Sequence, residues 1–295
     1  VIKVAILGSS AAVPSVERSL SAIGIRFDGD IYLFDCGEGT QRQMMKYGLS
    51  YFKVKAIFVT HTHADHIVGI AGLAQTLDLS GREEPLPIIC PAGQERDIEA
   101  LLSIGKYSYQ VEVRGVREGE VLRGEGFAVS AFPVQHSRPS LGYSFQTDER
   151  RNFDEEKCEK LGITGRMFGE LEKNGKIKIG KKEIAYGEVT IPKPGIKIVY
   201  SGDCSPSEST LVAAKGADLL IHEATYASDH EKEAFENRHS TAAQAAALAK
   251  KAGAKRLLLT HISGRYKEKS MLESEAREIF ENSEVAEDGT EVLLK

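Results

Sequence analysis

The 295-residue chain has no tryptophan, few asparagines and only four cysteines, Cys36, Cys90, Cys158 and Cys204, which lie far apart in the sequence. They form no Cys-x-x-Cys pair, and a chain of this size does not need disulfide staples. The thiols read as the reduced cysteines of a cytoplasmic protein. No apolar run approaches the roughly 18 residues of a membrane span. The opening Val-Ile-Lys-Val-Ala-Ile-Leu-Gly is too short for a signal peptide and reads as a first strand. Missing Trp and scarce Asn beside abundant Glu and Lys lean toward a heat-adapted composition. An excess of basic residues is missing too: the net charge is −5. That sum argues against a surface basic all over, but nucleic-acid binding depends on local patches, so charge has to be read by segment.

What the chain does have is a dense group of metal-ligand side chains. Ala56-Ile57-Phe58-Val59 reads as a buried strand, and Thr60-His61-Thr62-His63-Ala64-Asp65-His66 follows as a turn. A lone histidine is more often packed or simply exposed. Three imidazoles and a carboxylate within six residues are the donors that zinc and similar cations take, with room for two centres.

The same device recurs along the chain. Strands are expected at 2–7, 22–27, 30–35, 87–90, 109–113, 120–123, 127–134, 196–200, 217–221 and 256–260, and helices at 40–47, 67–79, 94–102 and 241–251. Several of these strands end in a candidate ligand: His136 after 127–134, Asp203 after 196–200, His222 after 217–221 and His261 after 256–260. Carboxyl ends of strands are where α/β sheets build their sites. The small residues Gly8 to Ser15 let the backbone pass close to a packed neighbour or a phosphate.

Residues 150–195 break this rhythm with a Gly- and Lys-rich insert. From Lys160 to Lys197 there are nine Lys or Arg against four Glu. A solvated hairpin is the plain reading. An inserted basic arm that grips a phosphodiester backbone is the stronger one, because the segment interrupts the fold between ligand-bearing strands.

His61, His63, Asp65, His66, His136, Asp203 and His261 supply seven donors, enough for two zinc ions that would share a hydroxide at a phosphoryl group. Asp65 could also accept a hydrogen bond from the attacking water. Glu223 and His239 form a second pair, in which the carboxylate would raise the basicity of the imidazole and suit it as a general acid. His222 reads as structural and His230 as exposed.

These motifs resemble the metallo-β-lactamase superfamily. The resemblance narrows to the short-form ribonuclease Z family through Gly8 to Pro14, Phe34-Asp35-Cys36-Gly37-Glu38-Gly39-Thr40-Gln41, His222-Glu223-Ala224-Thr225, His239-Ser240-Thr241 and His261-Ile262-Ser263-x-Arg265-Tyr266. It implies an α/β fold, the αβ/βα four-layer sandwich, as one domain over 1–295 with a protruding inserted arm at 150–195. It implies two zinc ions per subunit: one on His61, His63 and His136, the other on Asp65, His66 and His261, with Asp203 bridging. It further implies catalytic roles for Asp65, Glu223 and His239. The activity would be an endoribonuclease removing the 3′ trailer of precursor tRNA, leaving a 3′-hydroxyl on the tRNA and a 5′-phosphate on the trailer. A cytoplasmic homodimer follows, with the arm of one subunit serving the site of the other and no membrane involved. The expected substrate contacts are Arg166, Lys176, Lys178, Lys181 and Lys182 in the arm, with Arg138 and Arg265 as phosphate clamps. Two departures stand out: Cys204 follows the bridging Asp203 where Thr is usual, and the arm has only Pro192 and Pro194, near its base.

Two other functions compete. A different binuclear zinc hydrolase, such as a lactonase or small-molecule phosphodiesterase, would need neither the arm nor the Glu223/His239 pair. A non-catalytic RNA-binding scaffold should have lost ligands, yet all seven positions are filled.

Overall fold

A computed structural model describes all residues from Val1 to Lys295. In chain order the strands are β1 (Ile2–Gly8), β2 (Ala22–Phe27), β3 (Asp30–Phe34), β4 (Val54–Phe58), β5 (Leu86–Pro91), β6 (Val111–Val116), β7 (Gly119–Gly124), β8 (Phe127–Val134) and β9 (Ser140–Thr147). There follow β10 (Arg150–Phe153), β11 (Lys176–Ile179), β12 (Lys182–Ala185), β13 (Thr190–Lys193), β14 (Lys197–Tyr200), β15 (Leu219–Glu223), β16 (Leu257–Thr260), β17 (Ser283–Val285) and β18 (Glu291–Leu294). The helices are α1 (Thr40–Lys46), α2 (Ala64–Ile67), α3 (Gly69–Leu79), α4 (Glu95–Leu102), α5 (Glu155–Lys160) and α6 (Arg166–Asn174). The series closes with α7 (Glu208–Ala214), α8 (Glu231–Asn237), α9 (Ala242–Ala252) and α10 (Ser270–Ile279).

Residues 1–146 with 196–295 make one compact unit and 147–195 another. The larger unit holds two seven-stranded sheets, ordered β18-β1-β2-β3-β4-β5-β6 and β17-β16-β15-β14-β9-β8-β7. The inner strands β1, β3, β4, β5, β14, β15 and β16 are buried on both faces, which is why the sequence shows nearly unbroken apolar runs there rather than alternation. In β1, Val4 and Ile6 face the core shared with the second sheet, while Ala5 and Leu7 face helices α1, α3 and α4. In β15, Leu219 and Ile221 enter the shared core and Leu220 faces α7, α9 and α10. The layers therefore run helix, sheet, sheet, helix, as the four-layer sandwich requires. A cluster of Phe27, Tyr32, Phe127 and Phe145 fills the middle, with ring centroids 4.8–5.8 Å apart.

Several expectations shift. Asp65 and His66 lie on α2, which begins at Ala64, and not on a turn. The strand expected at 217–221 runs from Leu219 to Glu223, so His222 and Glu223 belong to it. β9, β17, β18, α7, α8 and α10 have no counterpart in the sequence reading.

The unit 147–195 is more than a hairpin. It has two helices and two two-stranded sheets, β10 with β13 and β11 with β12. Its small core contains Cys158, Ile163, Leu171, Ile177, Ile184 and Val189, with Met167 and Phe168 packed against it. Those two apolar side chains therefore hold the unit together and are not presented outward. The charge is also unevenly placed: the unit as a whole has eleven Lys or Arg against ten Asp or Glu, while 173–182 has five Lys and no acid. Arg166, Lys176, Lys178, Lys181 and Lys182 are all exposed, and Lys176 pairs with Glu183 at 3.1 Å.

Candidate active site and metal centre

Both sheets send polar residues to one cleft. The loop after β4 carries His61 and His63, and α2 carries Asp65 and His66. His136 follows β8, Asp203 follows β14 and His261 follows β16. These seven side chains fall into two sets sharing Asp203: His61, His63, His136 and Asp203, and Asp65, His66, Asp203 and His261. In the first set, His61 Nε2 and His63 Nδ1 are 2.9 Å apart, and His136 Nε2 and His63 Nδ1 3.3 Å. Oδ2 of Asp203 lies 3.8 Å from His61 Nε2, 3.3 Å from His66 Nε2 and 3.2 Å from His261 Nε2. Oδ2 of Asp65 lies 3.4 Å from His261 Nε2 and 3.6 Å from His66 Nε2.

Two buried atoms, His66 Nε2 and Asp203 Oδ1, have no hydrogen-bond partner. Leaving buried polar groups unpaired is costly, and a cation in each set would satisfy them. The electrostatics agree. Burial and neighbouring imidazoles push His61 down, and burial with His136 and Arg138 does the same to His63; burial likewise lowers His136. Neutral imidazole is the metal-binding form. His66 goes the other way: burial opposes its charge, but Asp203 and Asp35 raise it well above its usual value. The two carboxylates beside it thus favour positive charge at this point. Imidazole and carboxylate donors fit zinc or a similar divalent ion.

Asp35, given no role in the sequence reading, is the support of this centre. Its fully buried carboxylate accepts from Thr60 N–H at 2.7 Å, Thr60 Oγ1 at 2.9 Å, His66 Nδ1 at 2.8 Å and Tyr200 OH at 2.9 Å. A carboxylate on Nδ1 fixes the tautomer that leaves Nε2 free for metal. Asp35 ends the apolar strand β3 as the ligands end theirs, so the same signal points to it. Its φ of 59° and that of His261, 56°, lie in the left-handed region that non-glycine residues seldom adopt. Close packing holds the ligand helix in place: Cys36 N–H donates to His66 O and Gly69 N–H to Cys36 O. A Cβ on Gly69 would come within 2.0 Å of Gly37 O, so only glycine fits there.

The loop after β1 lies against a packed neighbour. A Cβ on Gly8 would meet Leu20 O at 1.7 Å. Further along, Ala12 N–H donates to Asp65 Oδ2 at 3.0 Å. Asp288 steadies this loop by accepting from Ser9 N–H and Oγ, Ser19 N–H and Gln43 Nε2.

Beside the metal sets, Glu223 Oε1 is 2.7 Å from His239 Nδ1. Thr225, also missed in the sequence, donates to Glu223 Oε2 at 2.7 Å, and its hydroxyl lies 2.9 Å from His261 Nδ1. Burial works against charge on His239, but Glu223 and their hydrogen bond outweigh it and raise the imidazolium to about 9. His222 is buried, its Nδ1 on Glu223 O, in a structural place. His230 is half-buried rather than exposed, held by Asp229 at 2.6 Å and Tyr266 OH at 3.2 Å. Cys204 is buried and donates its N–H to Glu223 Oε1.

The two expected clamps are already engaged. Arg138 Nη1 donates to Thr62 O and Oγ1 and so braces the ligand loop. Arg265 pairs with Glu233 at 2.9 Å and lies over the Tyr226 ring.

The chain is similar to known proteins along nearly its whole length. A family model described as a beta-lactamase superfamily domain matches residues 31–153 and 166–262. Ribonuclease Z of Methanothermobacter thermautotrophicus is 43% identical over 99% of this chain and 97% of its own. The Methanosarcina acetivorans ribonuclease Z is 41% identical over 99% and 98%. Among solved structures, human tRNase Z, short form, superposes with a TM-score of 0.72 at 29% identity, covering 99% of both chains. The metallo-beta-lactamase fold protein YhfI of Bacillus subtilis gives 0.73 at 20% identity over 99% of this chain and 98% of its own, a likeness of fold alone.

Proposed function

Since the chain belongs to the ribonuclease Z family of the metallo-β-lactamase superfamily, we propose that it is the endoribonuclease that removes the 3′ trailer from precursor tRNA. The cut leaves a 3′-hydroxyl on the tRNA and a 5′-phosphate on the trailer. The observation that carries the proposal is the meeting of seven donor side chains and the Glu223/His239 pair in one cleft.

His61, His63 and His136 would hold one zinc ion and Asp65, His66 and His261 a second, with Asp203 between them. Bound there, the pair supplies Lewis acidity toward a phosphodiester and lowers the pKa of water so that hydroxide is available near neutral pH. Asp35 and Thr225 orient His66 and His261 from behind. Asp65 opposes its own burial with help from His261 and His66, which keep it ionised. As a carboxylate it accepts the hydrogen bond and then the proton of the attacking water. His239, charged beside Glu223, has Nδ1 committed and gives the proton on its other nitrogen to the departing ribose 3′-oxygen.

The exposed lysines of 173–182 are the RNA-binding part of the 147–195 unit, with Arg166 nearby in sequence. A tRNA read through its phosphates and shape needs such a patch on an acidic protein. Arg138 can offer its remaining N–H groups to a phosphate, whereas Arg265 must first exchange Glu233. The enzyme is a homodimer of the cytoplasm, and no helix is long and apolar enough to cross a membrane. The test is to incubate the protein with a 3′-extended tRNA and map both product ends. Cleavage with those termini, stopped by chelator and restored by zinc, is expected; zinc-loaded protein that leaves the RNA intact would refute the proposal.

A further inference from the structure

Beside His136 and His239 opens a cavity of about 690 Å³, lined also by Gln135, Ser205, Phe235 and Arg238. Pockets that enclose a small ligand run to about 300–1,000 Å³, so there is room for an unstacked nucleotide. Phe235 is 79% exposed on α8, while the preceding Ala234 is fully buried. A single exposed apolar side chain is ordinary on a protein surface. This one stands in a cavity whose wall includes a proposed metal ligand and the proposed proton donor.

The backbone that carries the ring is firmly placed. α8 ends at Arg238, left-handed at φ 59° and ψ 46°. That cap brings His239 N–H onto Ala234 O at 2.8 Å and Arg238 N–H onto Phe235 O at 3.2 Å. Arg238 Nη1 then donates to His136 O at 2.7 Å, and His136 Nδ1 lies 3.2 Å from Arg238 O. One helix cap therefore joins Phe235, His239 and His136. An aromatic face beside the cleavage site is a means by which proteins hold single-stranded bases, through stacking that every base can make.

We propose that Phe235 is the stacking platform for the base of the last nucleotide retained on the tRNA, the one whose 3′-oxygen leaves toward His239. This rests on the RNA-cleaving reading above. The stacking fixes the leaving sugar without selecting the base, so all four bases at that position are served alike.

The experiment compares a precursor tRNA with two twins, one abasic at the last retained position and one abasic at the first trailer position. Phe235→Ala lowers kcat/KM on the intact RNA about 5- to 150-fold, the span expected when one base is left without its aromatic partner. Phe235→Trp keeps the parent value, and both variants melt at the parent temperature because the ring is exposed. On RNA abasic at the last retained position the parent and Phe235→Ala cleave alike. On RNA abasic at the first trailer position the full Ala penalty persists. An undiminished penalty on the first twin, its disappearance on the second, or no penalty on intact RNA would each overturn the assignment. A parent protein that cleaves no precursor at all would overturn the underlying reading instead.

Discussion

Asp35→Asn replaces one carboxylate oxygen by an amide nitrogen at the centre of four hydrogen bonds. Oδ1 can still accept from Thr60, but the new NH₂ group takes the place of the oxygen that receives Tyr200 OH and His66 Nδ1. Two buried donors then face a donor, at about 1–3 kcal/mol each, or about 2–6 kcal/mol in all. For a domain whose whole stability is about 5–15 kcal/mol, that is a large share. His66 can escape by moving its proton to Nε2 and accepting at Nδ1, but Nε2 is the atom that faces Asp203. A protonated Nε2 cannot ligate, so zinc affinity at the set containing Asp65, His66 and His261 should fall about 10- to 100-fold. Urea unfolding with chelator reads the first effect, and competition against a zinc-binding dye reads the second. The zinc-dependent gain in stability should shrink by about 1.4–2.8 kcal/mol. An Asn variant that binds both ions like the parent and unfolds at the same urea concentration would sink the role given to Asp35.

Three further outcomes are expected. Asp65→Ala should abolish cleavage while tRNA affinity in a filter-binding assay stays near the parent value; a large loss of affinity would assign the residue to building the site. His239→Ala should slow RNA cleavage about 10²- to 10⁴-fold yet barely alter hydrolysis of a diester with a p-nitrophenolate leaving group, which needs no proton; equal losses would argue against a general acid. Changing Lys176, Lys178, Lys181 and Lys182 together to Ala should raise KM for precursor tRNA and flatten the salt dependence of binding by about one unit of slope for each phosphate no longer neutralised. An unchanged slope would place the RNA elsewhere.

The centre was legible because its parts are local: His61, His136, Asp203 and His261 each follow closely on a largely apolar strand, and His63, Asp65 and His66 crowd behind the first of them. What escaped was relational. Thr225 matters because β15 and β16 pair in parallel and bring it to His261, a fact no window of sequence contains. Asp35 carried the strand-end signal, but its partners come from 25 to 165 residues away. The edge strands β17 and β18 are short, at three and four residues, and leave little periodicity to read. In 147–195 the glycines and charges obscured two helices, and Met167 and Phe168 looked like surface features because a core of about a dozen side chains gives no long apolar run.

Asp288 and β18 tie a distant stretch of the chain to the loop beside the proposed metal centre. The last strand pairs with the first, and Asp288 gathers the backbone of the loop that reaches Asp65. A chain stopped before Asp288 would own all seven donors and still lack the brace on that loop.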